Sequence, residues 1–245
     1  MNDNFKKWAC SLSGCDGGNI SAKTWLCGIE WGQGSYGDYY EKELPQEISE
    51  GSVCSTVKEY DWKKSITYPY GLSFAKLYMA IHGQKVESYK NVVDFNGQEL
   101  FKLNLYPIAF DSTDHGLWKK NKLDKITTFE NKYLYKVWCF FNRFPYFSKL
   151  RKKHEPKLII CTGVDYLRDF LMFFGADNVE MVGTGTISPQ SETNKYDRTY
   201  YWVRLDRNTL LVVIPFFSGR YGLNSNYLLQ QMGKRISELL NSKES

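Results

Sequence analysis

The chain has 245 residues, 42% of them hydrophobic and 16% aromatic, and a net charge of +5. That supplies one sizeable core with no Pro/Ser-rich linker, so a single domain over 1–245 is expected, with residues 1–20 as an N-terminal extension. No apolar run approaches the roughly 18 residues of a membrane span, and MNDNFKKWAC lacks the apolar centre of a signal peptide. A cytoplasmic protein without membrane contact is therefore expected, and the basic balance is compatible with a polyanionic partner.

In chain order, residues 14–19 (GCDGGN) are rich in turn formers and lack the lysine and hydroxyl of a P-loop. Residues 24–30 read as a strand that ends in Gly28-Ile29-Glu30-Trp31-Gly32, a carboxylate at the mouth of a glycine-rich turn. A helix is expected over 71–82 and a second strand over 100–107, stopped by proline. An aromatic-rich helix follows over 128–142, then the basic run Lys149-Leu150-Arg151-Lys152-Lys153-His154. That run and Lys119-Lys120-Asn121-Lys122 are either solvated faces or nucleic-acid contacts.

Residues 157–163 (KLIICTG) form a buried strand pattern, with a helix over 164–174 and a short strand over 179–182. Residues 199–205 alternate as a half-exposed strand, 210–216 read as a buried strand, and a helix closes the chain over 225–240. Strands alternating with helices predict an α/β class: a three-layer α/β/α sandwich around a mainly parallel central sheet. Three strands would then deliver Glu30, Asn104 and Phe217-Ser218-Gly219-Arg220 to one sheet edge.

Of the six cysteines, Cys27 and Cys161 sit in apolar strand patterns. Cys10, Cys15, Cys54 and Cys139 are either free thiols or a four-thiolate site. Their spacing fits no standard zinc or ferredoxin pattern, and neither metal nor cofactor is expected.

These segments, in this order, resemble the uracil-DNA glycosylase superfamily. Gly28-Ile29-Glu30-Trp31-Gly32 looks like its first-strand motif, Asn104 in KLNLYP like its base-contacting asparagine, and 156–164 like its third strand. Ile214-Pro215-Phe216-Phe217-Ser218-Gly219-Arg220-Tyr221 looks like its last loop. The resemblance covers roughly residues 20–240. The chain departs from the pattern in lacking the histidine of the last motif, where Phe216 and Phe217 stand, and in carrying Trp31 in place of proline.

The resemblance implies a monofunctional DNA glycosylase acting on a flipped base, working as a monomer on DNA. Glu30 is the expected catalytic carboxylate, stabilising oxocarbenium charge and orienting water. Ile29, Trp31, Tyr70, Asn104 and Tyr106 are the expected base pocket, with Tyr70 as stacking ring and Asn104 as edge reader. Phe217, Ser218, Gly219, Arg220 and Tyr221 are the expected DNA contacts, with Phe217 or Tyr221 as wedge. Asp38, Asp111 and Asp114 lie in loops after the first two motifs and are either solvated loop acids or acids able to assist. The lost histidine and added aromatics shift the expected substrate from plain uracil to a modified pyrimidine. A non-catalytic nucleic-acid-binding module of the same fold is the alternative.

Overall fold

A computed structural model describes residues 3–32, 38–54, 58–112, 114–190 and 196–242. Its elements run α1 (Asp3–Ala9), β1 (Gly17–Gly18), β2 (Thr24–Gly28), α2 (Leu44–Glu50), α3 (Trp62–Ser65), α4 (Pro69–Ile81), β3 (Leu100–Asn104), α5 (Leu117–Lys120) and α6 (Leu123–Thr127). They continue as α7 (Lys132–His154), β4 (Leu158–Thr162), α8 (Leu167–Phe174), β5 (Gly183–Ile187), β6 (Arg198–Arg204), β7 (Leu210–Ile214) and α9 (Asn226–Asn241). One mixed sheet forms in the order β1-β3-β2-β4-β7-β6-β5. Its four central strands, β3, β2, β4 and β7, are parallel, and β1, β6 and β5 add antiparallel edges.

Side chains alternate across the central strands and feed two cores. On one face Trp25, Phe101, Ile159 and Leu211 pack beneath α1, α2, α7 and α8. On the other Leu26, Leu100, Ile160 and Val212 pack beneath α4 and α9. The central strands are buried on both sides, as a covered parallel sheet requires. No helix among the described residues is long and apolar enough to cross a membrane.

Within the N-terminal extension expected over 1–20, Phe5, Trp8 and Leu12 are core residues, and β1 pairs with β3. Two expectations are corrected. Residues 179–181 form a 3-10 turn and the strand is β5, one step later, with the sequence GTGTI. Its glycines are needed because the Trp202 and Tyr200 rings lie across Gly183 and Gly185, where a Cβ would collide. Finally, α7 runs on through Pro145 to His154. Pro145 stands on the exposed side of the helix, where water can satisfy the carbonyl it leaves free.

Candidate functional site

The central strands are parallel, so their carboxyl ends share one edge. The chain passes from β2 to β3 on one side and later to β4 on the other. The crevice between β2 and β4 is thus a topological switch point, the usual ligand position in open α/β sheets. On the α4 face, register puts Asn104 beside Gly28, and Thr162 one residue beyond the Cys27–Cys161 pair. Tyr70, in the first turn of α4, reaches down to this row: its hydroxyl lies 3.0 Å from Thr162 Oγ1. Its ring packs 5.1 Å from Phe217 and 5.6 Å from Phe216, just past β7.

Asn104 is 2% exposed and tightly held. Its Nδ2 donates to the Gly14 carbonyl at 2.9 Å and lies 3.4 Å from Asp16 Oδ1. Its Oδ1 is turned onto Gly28, where a Cβ would collide with it. Asp16 also pairs with Lys102, whose ammonium lies 5.1 Å from the Tyr70 ring centroid. Burial works against the Lys102 charge, but Asp16 and Tyr60 outweigh it and hold the amine above its usual range.

Glu30 is turned the other way, toward α7. Its Oε2 accepts from Lys132 Nζ at 2.9 Å in an ion pair whose side chains are 4% and 0% exposed. Its Oε1 is buried without a hydrogen-bond partner among the described residues. Burial raises the carboxyl above its ordinary range despite Lys132 and Lys136, and burial lowers the Lys132 amine despite Glu30. The Lys132 ammonium also lies 3.6 Å from the Phe110 ring centroid.

The structure therefore divides the expected site. Tyr70, Asn104 and Phe217 come together on the α4 face. Ile29 packs against Gly163 in the crevice. Trp31 donates its indole N–H to the Pro107 carbonyl at 3.0 Å and, with Cys15, Tyr39 and Cys54, lines a separate cleft of about 280 Å³. Tyr106 is not beside Asn104: its hydroxyl donates to Asp169 Oδ2 at 2.9 Å in the α7–α8 layer.

In the last loop, Phe217 is only 5% exposed, so it is no wedge; the exposed rings are Phe216 and Tyr221. Arg220 is exposed, stacked 4.2 Å from the centroid of Tyr196 and donating to its hydroxyl. Ser218 and Gly219 line a cleft of about 230 Å³ with Lys76, Asn224 and Ser225. Asp38 is paired with Lys42, Asp114 caps the Gly116 N–H, and Asp111 is exposed.

Two residues escaped sequence reasoning. Lys132 opens α7 directly after a polar cap and gives no sign of burial. Arg143 is fully buried and donates to the carbonyls of Ala9, Ser11, Ser13, Asn104 and Leu105. It ties the N-terminal segment to the exit of β3. Its positive charge also bears on Cys10, Cys15 and Cys139, yet burial dominates and raises all three thiols, Cys139 to about 12. Among the described residues no group of three or more His, Cys, Asp or Glu is placed to hold a metal ion. The 149–154 run lies at the opposite edge of the sheet, where His154 Nδ1 meets Ser21 Oγ ahead of β2, and its Arg151 is buried against Asp206.

No protein-family model, curated protein or solved structure matches the chain.

Proposed function

We propose that the chain is a monofunctional DNA glycosylase with a uracil-DNA-glycosylase-like sandwich. It hydrolyses the N-glycosidic bond of a flipped, modified pyrimidine and leaves an abasic site. Hydroxymethylated or glucosylated cytosine of phage DNA, excised in antiviral defence, is the leading substrate; uracil or thymine in repair is the other. In this reading the protein is a cytoplasmic monomer that needs no cofactor.

The observation that carries the reading is Glu30 Oε1, a buried carboxylate oxygen without a donor among the described residues, at the carboxyl end of the strand that opens the switch point. Leaving such an atom unsatisfied costs about 1–3 kcal/mol or more, and costly polar atoms of this kind concentrate where chemistry is done. Negative charge there stabilises an oxocarbenium-like sugar, and the free oxygen is the one able to orient water. Tyr70 and Asn104 supply a ring and a polar edge on the neighbouring face, and Phe216, Arg220 and Tyr221 a projecting aromatic and basic loop.

One observation favours the alternative of a non-catalytic binding module of the same fold. Glu30 is locked to Lys132 and nearly closed to solvent. The two readings separate in an abasic-site assay of wild type and Glu30→Gln, on uracil, G·T-mismatch, hydroxymethylcytosine and glucosylated-cytosine DNA. A glycosylase gives alkali-labile sites on one substrate that vanish in the variant, with the strand intact before alkali. Strand nicking before alkali, trapped covalently by borohydride, would instead reveal an amine nucleophile and overturn the monofunctional assignment. DNA binding with no abasic sites anywhere would leave the binding module.

A further inference from the structure

The polarity of the Asn104 amide is fixed by its surroundings, and this bears on the base selected, given the reading of Asn104 as an edge reader in a glycosylase. An amide offers a donor side and an acceptor side, and which faces a ligand depends on what holds the other. Here Nδ2 faces the Gly14 carbonyl at 2.9 Å and the Asp16 carboxylate at 3.4 Å, both acceptors only. Turning the amide over would set Oδ1 against those oxygens. Gly28 completes the arrangement, since any side chain there would occupy the place of Oδ1. Asn104 is therefore left with an acceptor to offer.

Its neighbours extend the pattern. The Asp16 side chain is 24% exposed and Lys102 is 18% exposed, so both remain open to a ligand beside the buried asparagine. A row with acceptors at Asn104 Oδ1 and Asp16 and a donor at Lys102 Nζ is complementary to a base edge with an amino group next to a ring-nitrogen or carbonyl acceptor. Cytosine presents that edge. Uracil and thymine place a carbonyl where cytosine has its amino group, and that carbonyl would face acceptors.

We infer that Asn104, with Asp16 and Lys102, is a specificity determinant that selects an amino-bearing, cytosine-type pyrimidine over its keto counterpart. Modification at the carbon beside the amino group leaves this edge unchanged, so the selection applies equally to hydroxymethylated cytosine.

The test compares hydroxymethylcytosine with hydroxymethyluracil, which differ only in that amino group, replaced by a carbonyl, and in the proton that the neighbouring ring nitrogen then carries. Each is placed in the same single-stranded oligonucleotide, so that no pairing partner biases extrusion. Equilibrium affinity and abasic-site formation are both read. The wild type is expected to favour the amino base by about tenfold or more. Asn104→Ala and Asp16→Asn are expected to bring the ratio close to one. Because the ratio is taken within each variant, a general loss of folded protein cancels.

Equal affinity for the two bases in the wild type, or a ratio untouched by both substitutions, would overturn the inference. Abasic sites without base preference would do so while leaving the glycosylase reading in place. A preference in affinity without abasic sites would support the reader and overturn the glycosylase.

Discussion

Glu30 and Lys132 set the balance at the scale of single residues. Two charges taken out of water gain little over an apolar pair, but removing one strands the other. Lys132→Met alone is expected to cost about 3–5 kcal/mol in urea unfolding, and adding Glu30→Gln to recover most of it. Additive losses in that double-mutant cycle would mean the pair is not coupled. The direction of the Glu30 shift also fixes a pH dependence. Its folded-state value is raised above 4.5, so its contribution to stability is fully present below 4.5 and is lost as pH rises through the folded value. Over that window wild-type stability is expected to fall with rising pH more steeply than that of Glu30→Gln, as read from urea midpoints. Equal slopes would show that burial does not perturb the carboxyl. The carboxylate at the end of β2 was legible in the sequence because strand ends are. Its lysine partner was not, because Lys132 comes from a helix start 102 positions further on.

At the scale of elements, the exit of β3 is the feature on which the site depends. Arg143 in α7 holds the carbonyls of Asn104 and Leu105 together with those of Ala9, Ser11 and Ser13. Arg143→Met would strand several buried acceptors at about 1–3 kcal/mol each, so a sharp drop in the unfolding midpoint is expected. A drop smaller than one such acceptor would show that water replaces the guanidinium. Gly28→Ala acts on the same place by volume: its Cβ displaces Asn104 Oδ1. It is expected to abolish base selection with a much smaller change in stability than Arg143→Met. Strands β2, β3, β4 and β7 were readable from their apolar runs, α9 from helical spacing after Ser225, and α4 from helical spacing with its start read two residues late, at Gly71 rather than Pro69. β1 and β5 were not, because edge strands made of glycine and threonine carry no apolar pattern.

At the scale of the whole molecule, the parallel centre of the sheet gathers residues from distant segments at one edge. The pattern of strands and helices announced that much. It could not announce which side of the sheet each side chain takes past the strand ends. Asn104 and Tyr70 go to the α4 face, while Glu30 and Tyr106 go to the α7 layer. The loop after β7 stands at the same edge and presents Phe216, Arg220 and Tyr221 outward. If it meets DNA, Arg220→Ala weakens binding uniformly across sequences and lowers the salt dependence by about one counterion. An unchanged salt slope would take Arg220 off the phosphate path.

The most direct measurement is chromatographic identification of the free base released when wild type and Glu30→Gln are incubated with DNA containing hydroxymethylcytosine. Both proteins are first confirmed folded by circular dichroism. The account predicts that wild type releases the modified base, that the abasic strand stays unbroken, and that the variant releases none. Tight binding of that DNA by a folded wild type that releases no base from it or from uracil-containing DNA would contradict it.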